Sequence, residues 1–97
     1  MKECKTLEEA RKEIDKVDEE IIKLIALRNN YIKQIAHFKT NIEEIKAQER
    51  IDDVISRARR QAIELDLSPN LINDLYIRMI DGMVESEIAE FQNAKGL

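Results

Sequence analysis

Along the first third of the chain, apolar residues fall at Leu7, Ile14, Val17, Ile21, Leu24, Tyr31, Ile35 and Phe38, in steps of three, four or seven. This is the rhythm of a helix packed along one seam. Thr6 followed by Glu9 forms a capping-box signature, which starts that helix near Leu7. The seam holds to about Lys39 and is lost in TNIEEIKA, which reads as a loop. A second helix is predicted from about Gln48 to Glu64, with Ile51, Val54, Ile55, Ala58, Ala62 and Leu65 on its inner face. LDLSPN ends it. Ser68 as N-cap and Pro69 at the first helical position begin a third helix, which runs to about Asn93. Its inner face carries Ile72, Leu75, Met79, Ile80, Met83, Val84 and Phe91. The chain has two Gly and one Pro, and Pro69 is the first of them, so 7–67 contains no strong breaker. No strand-like alternation occurs. The expected fold is all-α: a single domain over 1–97 with a tail at 1–5, built as three helices of which the first is long.

The length of that first helix matters. About 33 residues at 1.5 Å each span about 50 Å, whereas a globule of this chain length is only about 32 Å across. Its own chain cannot cover such a seam. A second copy related by a two-fold axis is the simplest cover, which gives an intertwined helical homodimer.

Composition narrows the function. Charged residues are 37% and hydrophobic ones 43%, a globular balance rather than a disordered or membrane-spanning one. A net charge of -4 gives no reason to expect nucleic acid or an anionic membrane as partner. Cys4 has no second cysteine to pair with and reads as an incidental thiol in a reducing compartment. The opening MKECKTLEEARKE has no apolar secretory core, and a cytoplasmic location is the expectation.

Three cations interrupt the apolar seam. Arg28 has Ile21, Leu24, Ile25, Tyr31, Ile32 and Ile35 as its helical neighbours. A guanidinium there is costly unless paired. It can pair with a Glu of a partner helix and fix register, or receive an anionic ligand in its planar fork; the helix alone leaves both open. Arg11 lies on the same extended seam, and Lys39 follows Arg28 by 11 residues, about three full turns, placing both on nearly one face. Taken singly, Arg11 also reads as an exposed partner of Asp15, and Lys39 as a helix-end cation. Together they point to an anion site. Arg11 and Arg28 are about 25 Å apart along the axis, so Arg11 takes part only if it comes from the other subunit. Arg28 and Lys39, about 16 Å apart axially, can converge on a small molecule. On the third helix Glu87 sits among Ile80, Met83, Val84 and Phe91, where burial would raise its pKa unless a seam cation keeps it ionised. Arg50, with Asp53 close by, is a weaker candidate. His37 has no companion at metal-ligand spacing, no Ser–His–acid set or Gly-rich phosphate loop is present, and no metal or cofactor is expected.

These residues resemble the all-helical chorismate mutases and the related isochorismate pyruvate lyases. The likeness spans about Leu7 to Phe91 and centres on ARKEIDKVDEEIIKLIALRNNYIKQIAHFK, with AQERI opening the second helix. It implies that Arg28 and Arg50 bind substrate carboxylates and that Arg11 reaches in from the partner chain. It also implies that Lys39 donates to the ether oxygen of an enolpyruvyl group, which Glu87 contacts as well, at a position where many members have Gln. Ala47 and Ile51 stand where mutases commonly hold the ring hydroxyl with polar groups, and Met83 where they often have Ser. Ile51, the Phe38–Lys39 pair and the setting of Tyr31 are closer to the lyase branch. The expected activity is conversion of chorismate to prephenate. Isochorismate pyruvate lyase or aminodeoxychorismate mutase activity is the alternative, and a non-catalytic helical dimerisation module leaves the seam cations unexplained.

Overall fold

The computed structural model describes residues 1–96, which form helices joined by short connections, with no strand among them. Four helices follow in order: α1 (Leu7–Ala36), α2 (Ile42–Ile45), α3 (Gln48–Glu64) and α4 (Pro69–Lys95). The chain divides into two compact units, residues 1–31 and 32–97.

The first unit holds the tail and most of α1. Thr6 caps the helix as its sequence indicates: the Glu9 N–H donates to Thr6 Oγ1 at 3.1 Å, and Glu9 Oε2 accepts from the Lys5 N–H at 2.9 Å. Ion pairs of Glu13 with Lys2 and Lys16, and of Glu20 with Lys23, decorate its surface. Such exposed pairs contribute little to stability. Leu7, Ile14, Val17, Ile21 and Leu24 are all exposed.

In the second unit α4 packs against α3 and α2. Its buried stripe of Ile80, Met83, Glu87 and Phe91 recurs every three or four residues. Phe91 closes a small core with Ala36 and Ile45, around which Ile42, Val84 and Ile88 pack. The expected third helix is thus present and buries the expected face, except that Leu75 is exposed. On α3, whose expected limits Gln48 and Glu64 hold, Ala62 is buried and Ile51, Val54, Ile55 and Ala58 are half-buried. Leu65 is exposed, because it has left the helix as its C-cap. The α3–α4 turn passes through Asp66 in the left-handed region (φ 57°), which a short polar side chain tolerates. Ser68 then caps α4, accepting from the Leu71 N–H at 3.2 Å. Ser68→Ala should cost about 1 kcal/mol. A lowered urea midpoint with unchanged slope would show it, and an unchanged midpoint would assign the cap no energetic role.

Two expectations at the α1–α3 connection need correction. The first helix ends at Ala36, not near Lys39. The amides of His37, Phe38 and Lys39 bond three residues back, to the carbonyls of Gln34, Ile35 and Ala36. That tightening closes the helix and turns the chain. The stretch read as a loop contains α2. Asn41 caps it, its side chain accepting from the Glu44 N–H at 3.0 Å.

Candidate active site

The end of α1 delivers Lys39 into the second unit. Lys39 is half-buried, and its ammonium donates to the Glu44 carbonyl of α2 at 2.9 Å. An ammonium has three donors, so this bond orients the group and leaves capacity for a ligand. Because α1 stops at Ala36, Lys39 does not share a helical face with Arg28. The turn and α2 place it instead.

Opposite in character is Glu87, on the buried stripe of α4. It is only 5% exposed, and among the described residues its Oε2 atom has no hydrogen-bond partner. Burial pushes its carboxyl above the ordinary range, while the Lys39 charge pulls it back down more weakly. An acidic oxygen buried without a partner is costly. Of the two readings of Glu87, a desolvated acid or a carboxylate held ionised by a cation, desolvation is the stronger influence here.

A prediction about stability follows. Folded Glu87 holds its proton to a higher pH than the unfolded chain, whose glutamate titrates at 4.5. Its contribution to folding is therefore fully present below that value and is lost as pH rises through the folded pKa. Glu87→Gln carries no charge and lacks this dependence. Urea unfolding of both proteins across that window should show the Gln variant gaining on the wild type as pH rises. A constant difference between them would mean that Glu87 does not change protonation on folding. The comparison cancels groups such as Glu13, held below its ordinary range by its hydrogen bond to Lys16.

The remaining candidates divide between the units. Met83, one turn before Glu87, is buried, and Ile51 is half-buried on α3. Arg50 is largely exposed at the start of α3 and shares Asp53 with Arg57, at 3.5 and 3.0 Å. Its nearby acid thus acts as a partner. Ala47 gives α3 no side-chain cap, so the first-turn N–H groups beside Arg50 add to a setting favourable to an anion. Arg11, exposed, and Arg28, half-buried, belong to the first unit. The second unit therefore places Glu87 under the influence of the Lys39 charge and carries Arg50, Ile51 and Met83, while the seam arginines stand on the first.

Two features of this site were missed from the sequence. One is α2, whose carbonyl orients Lys39; Asn41 three residues before Glu44 was its available signal, a helix-start pair like Thr6–Glu9. The other is His37, whose Nε2 lies 3.0 Å from Glu90 Oε1 on α4. No local pattern points to a pair 53 residues apart.

The second unit holds a buried acid and an oriented ammonium, with no strand, nucleotide loop or metal-type cluster among the described residues. Among the described residues no helix is long and apolar enough to cross a membrane. Among characterised proteins, the chain is similar to the isochorismate pyruvate lyase of Pseudomonas aeruginosa, 26% identical over 94 residues that cover 97% of this chain and 93% of that protein. The family model for chorismate mutase type II matches residues 10–88, a span that takes in Arg11, Arg28, Lys39, Arg50 and Glu87, and the chain belongs to that family.

Proposed function

We propose that this chain is a chorismate mutase, rearranging chorismate to prephenate without metal, cofactor or covalent intermediate. The observation that carries the reading is the buried, unpartnered Glu87 oxygen under the influence of Lys39. In the rearrangement the ether C–O bond breaks while a C–C bond forms between the enolpyruvyl methylene and the ring, and no atom leaves. Charge grows on the ether oxygen as its bond to the ring stretches. Lys39 and protonated Glu87 are donors suited to that oxygen, and preset donors at a site of developing charge are the largest single source of catalysis. Arg28 and Arg50 take the substrate carboxylates, Arg11 of a second subunit completes the set, and Ile51 and Met83 form apolar walls. Held this way the substrate is folded with its reacting carbons close together.

A second reading has its own support: the likeness to a lyase along nearly the full chain, together with Ala47 and Ile51 where a ring hydroxyl would need polar partners. In that reaction the same ether bond breaks, a ring hydrogen moves to the enolpyruvyl methylene, and pyruvate leaves an aromatic acid. Donors at the ether oxygen serve both. Purified protein incubated separately with chorismate and isochorismate, with products identified by chromatography, decides between them. Prephenate as the faster product is expected. Faster release of pyruvate and salicylate from isochorismate would replace the mutase reading, and turnover of neither would remove both.

A further inference from the structure

We infer that His37 and Glu90 form a clamp that sets the position of Lys39, and that both are positioning residues for the reaction. The inference rests on the role proposed above for Lys39. His37 lies in the turn that follows α1, two positions before Lys39, and Glu90 lies on α4 one turn beyond Glu87. Their contact, His37 Nε2 to Glu90 Oε1 at 3.0 Å, ties the turn carrying the ammonium to the helix carrying the acid. A second tie fixes the far side of the turn, where Lys39 donates to the Glu44 carbonyl. Between these ties the backbone is held by the three short-range bonds of His37, Phe38 and Lys39 to Gln34, Ile35 and Ala36. Below it, Ala36 is seated against Ile45 and Phe91, the residue next to Glu90.

The clamp contributes little to global stability, because both side chains retain solvent contact, His37 at 54% and Glu90 at 32% exposure. Its effect is geometric. A long ammonium side chain in a turn has many rotamers, and without the tie the turn drifts relative to α4. Small displacements of a donor from the reacting atom are costly to turnover.

The test uses the full chain, with chorismate and isochorismate as substrates. His37→Ala and Glu90→Ala should each lower kcat about tenfold with KM nearly unchanged, as expected for a misplaced donor. The double variant should lose no more than either single one. Glu90→Gln, which still accepts a hydrogen bond from imidazole, should restore most of the loss. In a Lys39→Ala background, removing His37 should cost nothing further. Unchanged kcat in His37→Ala, or the same loss after Lys39 is gone, would overturn the inference. Amide hydrogen exchange separates this outcome from failure of the functional reading. In Glu90→Ala the amides of His37, Phe38 and Lys39 should exchange faster, with those of α3 unchanged, and unchanged exchange in the turn would also overturn it. Wild-type protein that turns over neither substrate would sink the catalytic reading, while exchange would still decide whether the clamp exists.

Discussion

Replacing Lys39 by Ala is expected to lower turnover by about 100-fold or more, the scale of removing one preset donor from a transition state. The ammonium is oriented by the Glu44 carbonyl, so little reorganisation is needed when charge appears on the ether oxygen. The loss should fall on kcat more than on KM, since the interaction strengthens as the C–O bond stretches. Folding should suffer little, because Lys39 is half-buried and donates to a backbone carbonyl whose bond water can replace. The substitution also removes the positive charge that pulls the Glu87 pKa down, leaving burial unopposed by it, so Glu87 should hold its proton to higher pH than in the wild type. Steady-state kinetics with each substrate and a urea titration check both halves. Near-normal turnover in a folded Lys39→Ala protein would remove Lys39 from the mechanism.

The second large effect is a rescue. Arg11→Ala and Arg28→Ala should each abolish most activity if they bind substrate from opposite subunits. Mixed and allowed to exchange chains, the two inactive proteins should recover about a quarter of wild-type activity: random exchange makes half the dimers mixed, and one of the two sites in each is intact. The proposal requires a dimer. The exposed apolar positions Leu7, Ile14, Val17, Ile21 and Leu24 on the first unit support one. An isolated exposed Leu is ordinary, but a row of them along one helical seam asks for a partner surface. Light scattering should return twice the chain mass of 11.3 kDa at micromolar concentration. An active monomer, or no recovery despite demonstrated chain exchange, would remove Arg11 from the site.

The sequence by itself determined the helical elements. Thr6, Ser68 and Pro69 act within a turn of where they stand, and the periodicity of α3 and α4 names most of their buried residues, because caps and amphipathic faces are local properties of a helix. It also singled out Glu87, since a carboxylate on an otherwise apolar stripe is visible without coordinates. Tertiary structure decided what that carboxylate experiences. Desolvation against the Lys39 charge is a balance set by packing, and spacing cannot weigh it. It likewise decided that Lys39 stands in a turn, since the place where α1 stops depends on Ala36 docking against Ile45 and Phe91. Leu65 and Leu75 were misassigned for a related reason: periodicity marks a face as apolar but does not say how far along it the neighbouring helix extends. His37 shows the limit most clearly. Its partner Glu90 is 53 residues away, and only the closing of α4 onto the end of α1 brings imidazole and carboxylate within 3.0 Å.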